Sequence, residues 1–298
     1  MKKNKTLIFM CLPAILFFFI FAYLPMPGAW LAFVRFNYRD GIFGSPFVGF
    51  ENFRFLILSG QLAQLTRNTV LYNIAFIFLG NIVQIFVAIL FNEIVSYKFK
   101  KFAQSSMFLP YFISAVVVGL FAYNLLNVQN GFINALLKQM DKDTINFYSI
   151  PKLWPFIIVI VHLWQSTGYG SIVYFAAIMG IDSEMMEASE IDGANALQRI
   201  RYILLPLLKP TFIILLLFSL GGIMRGNFGL FYNLTGASNS ALFNYTDIIE
   251  TFVFRSLNVT LNFSMGSAVG LYQSVFGFAL IMTVNHIVKK IEPDYSLF

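Results

Sequence analysis

The sequence predicts an all-α integral membrane protein with six transmembrane helices, and three observations carry that prediction. Of its 298 residues, 58% are hydrophobic and 11% charged, with a mean hydropathy of +0.73. A soluble domain carries about a quarter charged residues, so this chain has too little polar surface to cover a globule in water. Six apolar runs each approach the roughly 20 residues a helix needs to cross the hydrocarbon core. Short basic clusters lie beside those runs, on one side of a six-span arrangement.

The first run, 7–34, follows "MKKNK" and imitates a secretory signal. Its apolar stretch is too long and no small-x-small cleavage site follows, so the expectation is a retained first helix. Cys11 lies inside it; as the one cysteine it excludes an internal disulfide and reads as a packed small hydrophobe. The second run is 70–95, and the third is 104–126 with Pro110 near its start. The fourth is 154–179, the fifth 207–226 and the sixth 266–288. Basic residues in "YKFKK" (97–101), at Arg199, Arg201 and Lys209, and at Lys289 and Lys290 fall on the side of "MKKNK". That side is assigned to the cytoplasm, with both termini there. Arg35, Arg39, Arg54 and Arg67 fall on the other side, so the bias is moderate. The outer loops are 37–66, 127–153 and 227–265. The net charge of +6 belongs to these flanks, not to a nucleic-acid surface.

Several kinds of chemistry are excluded. The span cores hold no Asp or Glu, and their ionisable groups reduce to His162 and, near the outer end of the fifth, Arg225. Proton-coupled carriers place carboxylates or His chains at membrane depth, so a self-sufficient secondary carrier is disfavoured. A Na⁺ site built from backbone carbonyls stays open. No Walker A loop, HExxH, Cys/His cluster or nucleophile elbow occurs. The chain is expected to hold no metal or cofactor and to catalyse no bond chemistry.

One segment breaks the apolar monotony. "DSEMMEASEI" (182–191) reads as a short helix capped by Asp182 or Ser183, with acidic residues in its first turns. Asp192-Gly193 is a turn signal. "ANALQRIRYILL" (194–205) resumes as a second helix, and Pro206 and Pro210 are expected to bend the chain into the fifth span. Two readings of this knob stand on the residues alone. It is a mechanical contact gripped by a partner, or an amphipathic loop resting on lipid headgroups.

Residues "EASEIDGANALQRIRYILLP" (187–206) resemble the EAA loop of permease subunits of ATP-binding-cassette importers, with its E-A-A-x-x-D-G-A, spacer and I-x-L-P pattern. Glu187, Ala188, Asp192, Gly193, Ala194, Ile203, Leu205 and Pro206 match, and Ser189 stands where a second alanine is usual. The resemblance implies a type I ABC importer permease fold with a cytoplasmic coupling helix. It divides the chain into a first helix and outer loop (1–65), a type-1 transmembrane domain (66–288, its EAA loop at 182–210) and a short cytoplasmic tail (289–298). It further implies a second homologous permease, two cytoplasmic ATPase subunits that carry the ATP and Mg, and an external solute-binding protein. Glu187, Ala188, Ser189, Asp192, Gly193, Ala194 and Pro206 would then couple to the ATPase.

"LFSLGGIMRGNF", "TDIIETFVFRSL", "FSMGSAVGLYQSVFGFALI" and "KKIEPDYSLF" are similar to the complex-oligosaccharide group of the carbohydrate-uptake branch, which serves aldouronates and alginate fragments. The group has a small or Asn residue where Arg225 stands and an acidic residue near Gly229, so the departure bears on the substrate. An amino acid or an anion is the alternative cargo on the same fold. Sugars are bound by aromatic faces and by amides and hydroxyls. Candidate pathway residues are Tyr123, Asn124, His162, Trp164, Gln165, Tyr169, Arg225, Asn227 and Gln273, with Tyr272 beside the last. Against each stands the ordinary role of packing on lipid or a neighbour. Asn73, Asn81 and Gln84 are expected to bond neighbouring helices. The outer segment 245–257, with Ile248, Ile249, Phe252 and Val253 at helical spacing, covers the cavity, docks the binding protein or lies on the membrane surface.

Overall fold

The computed structural model describes residues 5–236 and 239–291. The basic flank expected at 1–4 and most of the tail expected at 289–298 lie outside the described residues. Those described are helical, with no strand beyond an isolated bridge between Val34 and Phe47. Five helices are long and apolar enough to cross a bilayer: Ile8–Phe33, Gln61–Glu93, Pro151–Met179, Ala196–Gly221 and Phe263–Lys290. The pair Tyr97–Phe112 and Ala115–Leu126 makes a sixth if taken together, but it is bent by 96°.

Three expectations are corrected. The second span begins at Gln61, not near 70, because its polar first turns have partners outside the helix. Gln64 Nε2 donates to Phe243 O at 2.9 Å, and Asn68 Nδ2 to Asp247 O at 2.9 Å. The third is no straight run over 104–126. Leu109–Phe112 tightens into a 3₁₀ turn around Pro110, and Ser114 starts a new helix, its hydroxyl accepting from Val117 N. Gln165 Nε2 bonds the freed Ile113 carbonyl at 2.9 Å. The fifth span runs Ala196–Gly221 instead of 207–226, so the second half of the knob is that span's own first turns. Pro206 and Pro210 leave the carbonyls of Tyr202 and Pro206 without their usual donors. The helix nonetheless continues through both, with a π-turn over Ile200–Leu204 just ahead of Pro206.

The chain forms two compact units, Met1–Ala63 with Phe252–Val275, and Gln64–Thr251 with Phe276–Phe298. In the first, the apolar part of the membrane run Ile8–Phe33 is exposed, while Ala32 near its end is buried. The chain beyond it is pinned at Val34, whose carbonyl accepts from Asn52 Nδ2 at 3.1 Å and Ser264 Oγ at 2.7 Å.

The second unit holds two hydrophobic cores. One gathers Tyr72, Phe76, Val118, Trp154, Phe231 and Ile248; the other gathers Val87, Phe91, Tyr174, Ile178, Leu204 and Leu208. Small residues let backbones meet. A Cβ on Gly168 would land on the Met107 carbonyl, so the bent segment and the fourth span touch directly there. Ile248 and Ile249 are fully buried within this unit, so the apolar face of that segment packs on protein instead of lying on the membrane surface.

Candidate functional site

Two candidate features stand out in the second unit, a polar cavity and the exposed knob. The cavity, about 420 Å³, opens between the second, fourth and fifth spans. Its fourth-span wall carries His162, Ser166, Tyr169 and Val173, at spacings of four, three and four residues that set them on one helical face. Its second-span wall carries Asn73, Ile77, Asn81 and Gln84 in the same way, with Phe76 beside them. Phe76 and His162 stack, ring centroids 3.8 Å apart and 17° between planes. Tyr169 stacks on Tyr111 at 4.4 Å, which ties the cavity to the bent third segment.

The outer side of the cavity is a loop. After Gly221 the chain turns through Arg225, Gly226 and Asn227, which all line the cavity, before the short helix Phe228–Thr235. Asn73 Nδ2 donates to Ile223 O at 3.0 Å and to Arg225 O at 3.1 Å. Gly226 N donates to Glu250 Oε1 at 2.6 Å. Asn227 caps the following helix, accepting from Leu230 N at 3.1 Å. Both neighbours therefore fix this loop through its backbone. Arg225 is exposed, and among the described residues only its backbone is tied down. Among the described residues lining the cavity there is no carboxylate.

Of the residues expected along a substrate path, His162, Tyr169, Arg225 and Asn227 are brought together here. Trp164 points elsewhere and is exposed, and Gln165 braces the break at Ile113. Tyr123 packs near Tyr148, centroids 6.0 Å apart, while Asn124 bonds back to Leu120 O at 3.0 Å. Burial first, and then the Tyr123 phenol, pushes Tyr148 up to about 12. Tyr272 and Gln273 are half-buried in the other unit. The sequence reading missed Ser166, Phe76, Ser219 and Glu250. It gave Asn73, Asn81 and Gln84 only the role of helix-to-helix bonding. Asn73 and Asn81 do make such bonds, Asn81 with the Tyr174 hydroxyl, and also line the cavity.

The knob is a nine-residue helix, Ser183–Ile191, with Asp182 as its cap, accepting from Glu184 N at 3.0 Å. Met186 and Ile200 seat it on the second core. Gly193 makes the turn at φ +79°, where a side chain is strained. Asn195 and Gln198 form a capping box that starts the fifth span, and Arg199 pairs back to Glu190 across the turn. Ser189 donates to Met186 O at 2.6 Å, so its hydroxyl is satisfied in alanine's usual place. Glu187, Ala188, Asp192 and Gly193 are exposed, Ala194 is half-buried, and Pro206 is exposed on the helix beyond the π-turn. Ile191 and Leu197, 87% and 74% exposed, flank the turn.

Comparison with known proteins places the whole chain. The family model described as the binding-protein-dependent transport system inner membrane component matches residues 5–293. Protein LplB of Bacillus subtilis (strain 168) is 31% identical over 294 residues, covering 99% of this chain and 92% of LplB. The polygalacturonan/rhamnogalacturonan transport system permease protein YteP of the same organism is 32% identical over 291 residues, covering 97% of this chain and 89% of YteP. A chain of the crystal structure of a bacterial ABC transporter involved in the import of the acidic polysaccharide alginate superposes with a TM-score of 0.87 at 30% identity, covering 98% of this chain and 97% of that one.

Proposed function

The chain belongs to the binding-protein-dependent transport system inner membrane component family, and on that premise we propose that it passes an oligosaccharide across the cytoplasmic membrane, driven by ATP hydrolysed on separate subunits. A second, homologous permease completes the pathway, two ATPases sit on the cytoplasmic face, and an external binding protein delivers the sugar. Both termini and the knob face the cytoplasm, a reading supported by the basic residues on that side. Relatives whose names specify polygalacturonan/rhamnogalacturonan and alginate transport support a carbohydrate cargo.

The observation that carries the mechanism is continuity. One helix runs from Ala196, beside the Gly193 turn, to Gly221, at the edge of the cavity loop. Its 26 residues span roughly 39 Å at 1.5 Å each. Glu187, Ala188, Ser189, Asp192, Gly193 and Ala194 present the knob to an ATPase cleft, and Pro206 lies on the shaft that follows. Movement of the ATPases then reaches the cavity as displacement of one continuous helix. The Arg199–Glu190 pair and the capping box hold knob and rod together. Stacked aromatics and amides in the cavity suit sugar rings and hydroxyls.

The test is a mild-detergent pull-down from native membranes, followed by reconstitution of what is recovered. The expected result is an ATPase and a second permease, with ATP hydrolysis stimulated by sugar-loaded binding protein. A chain recovered alone that imports sugar on an ion gradient would overturn the reading.

A further inference from the structure

We propose that the groove beside Arg67 is a binding site for one anionic phospholipid, its phosphate at the guanidinium and one acyl chain lying between the second and fourth spans. The proposal needs this chain to sit in a bilayer and does not depend on the cargo or the ATPases. The groove, about 380 Å³, lies wholly within the second unit. Arg67, Leu71 and Ala75 line it from the second span, and Pro155 and Val159 from the fourth. Four-residue steps put each set on one helical face, and the second-span set runs about 12 Å along its helix. Asn244 and Tyr245 close the end beside Arg67. The site has a charged end and an apolar shaft, which is the two-part chemistry of a lipid. It is separate from the polar cavity, which Asn73, Ile77, Asn81 and Gln84 line from the same span. Leu71 instead heads a stripe of exposed apolar residues, continued by Ile74, Phe78 and Ile82. Such a stripe on a membrane helix suits hydrocarbon.

Arg67 is held at the mouth of the groove by a buried amide. Its Nε and Nη2 donate to Asn68 Oδ1 at 3.3 and 3.2 Å, and Nη2 donates to Asn244 O at 3.1 Å. Asn68, 5% exposed, is fixed in turn by donating to Asn244 O and Asp247 O. An arginine that only snorkels follows the water, whereas this one is tied to the rim. A guanidinium carries five donors, so these bonds orient the fork without exhausting it. Asp247 is buried and its carboxylate accepts from Thr251 Oγ1 at 2.7 Å. The described residues lining the groove include no carboxylate. The Tyr72 hydroxyl is engaged by Tyr245 O at 2.9 Å, which leaves the ring of Tyr72 to the shaft. Charge complementarity selects the occupant. A guanidinium takes a phosphate in charge-assisted, bidentate bonds, and basic pockets between membrane helices take anionic head groups. A face of a second permease laid on the stripe would cover the shaft but bring no phosphate to its charged end.

The experiment uses the full chain purified in detergent with whatever subunits accompany it, and dioleoyl phosphatidylglycerol and dioleoyl phosphatidylcholine as probes. Native mass spectrometry counts the lipids retained, and thermal unfolding is followed in parallel. The wild type is expected to retain one phosphatidylglycerol more than the variants below. It should do so at about tenfold lower concentration than it retains phosphatidylcholine, the scale of one charge-assisted contact, and melt higher with that lipid bound. Arg67→Gln, whose amide still reaches Asn244, loses the preference, and Arg67→Lys keeps part of it. Ala75→Phe fills the shaft with Arg67 in place and loses the lipid itself. Phosphatidylglycerol with a photoreactive acyl chain should label 71–75 or 155–159 in the wild type and not in Ala75→Phe. A wild type without preference, a preference that survives both Arg67→Gln and Ala75→Phe, or labelling confined to other segments overturns the proposal. So does efficient cross-linking of Leu71→Cys to a second permease, which would assign the groove to that interface. If Arg67→Gln fails to assemble, Ala75→Phe and the photolabel decide. A chain recovered without ATPases counts against the importer reading and leaves these lipid readouts to judge the groove.

Discussion

At its knob end the fifth span starts in open surroundings, whereas at its cavity end it runs into a loop clamped from two sides. Beside the Gly193 turn an added Cβ meets nothing within 4 Å, and Ile191 and Leu197 stand exposed. Beside Gly226 an added Cβ has no room, and Asn73 and Glu250 hold the backbone. The knob is constrained by backbone conformation, the loop by its neighbours. On the proposed reading, one end is the part an ATPase grips and the other is the part that receives the motion.

Glycine substitutions at the two ends break this contrast most directly. Gly226→Val overpacks the seat of the loop and displaces the Glu250 hydrogen bond. It is expected to destabilise by about 3 kcal/mol or more, seen as a melting-point drop of the purified protein and loss of transport together. Gly193→Val meets only backbone strain, about 1–2 kcal/mol. It should lower the melting point by only a few degrees and leave membrane insertion unchanged while cutting sugar-stimulated ATPase activity about tenfold. Normal stimulation in that variant would remove the knob from coupling. Asn73→Leu deletes two clamping bonds at once and should cost about 1–2 kcal/mol. The loss should be larger at the cavity end, read as faster hydrogen exchange in 222–227 than in 183–195. Glu190→Gln is the smallest, below about 1 kcal/mol, because the pair with Arg199 leaves the Glu190 side chain 61% exposed; its melting curve should overlay the wild type.

What the sequence made legible follows the same division. The knob was readable because its signals are local: an acidic first turn, Asp192-Gly193, and a matched pattern with its proline. Its continuation into the fifth span was also local, in the Asn195–Gln198 capping box, but the two prolines outweighed it. The break at Ser114 hides inside an unbroken apolar run, and hydropathy has no term for direction. The cavity was half legible. His162 and Tyr169 emerged from residue type, and helical spacing from them would have added Ser166 and set aside Trp164. Glu250 was not legible as a site residue, because its partner amide is 24 positions earlier in the chain. No spacing rule joins a carboxylate to a backbone N–H at that distance.

The π-turn at Ile200–Leu204 has a consequence for how such a rod can be tuned. Each residue gained or lost in a helix rotates everything beyond it by about 100° and shifts it by about 1.5 Å. A wide turn placed between knob and membrane acts as an adjustable collar, where one inserted residue is absorbed without unwinding either side. The bearing of the knob is therefore kept when a residue is gained there, and trimming one residue from 200–204 would return the turn to α-helix with the knob and the far end where they were.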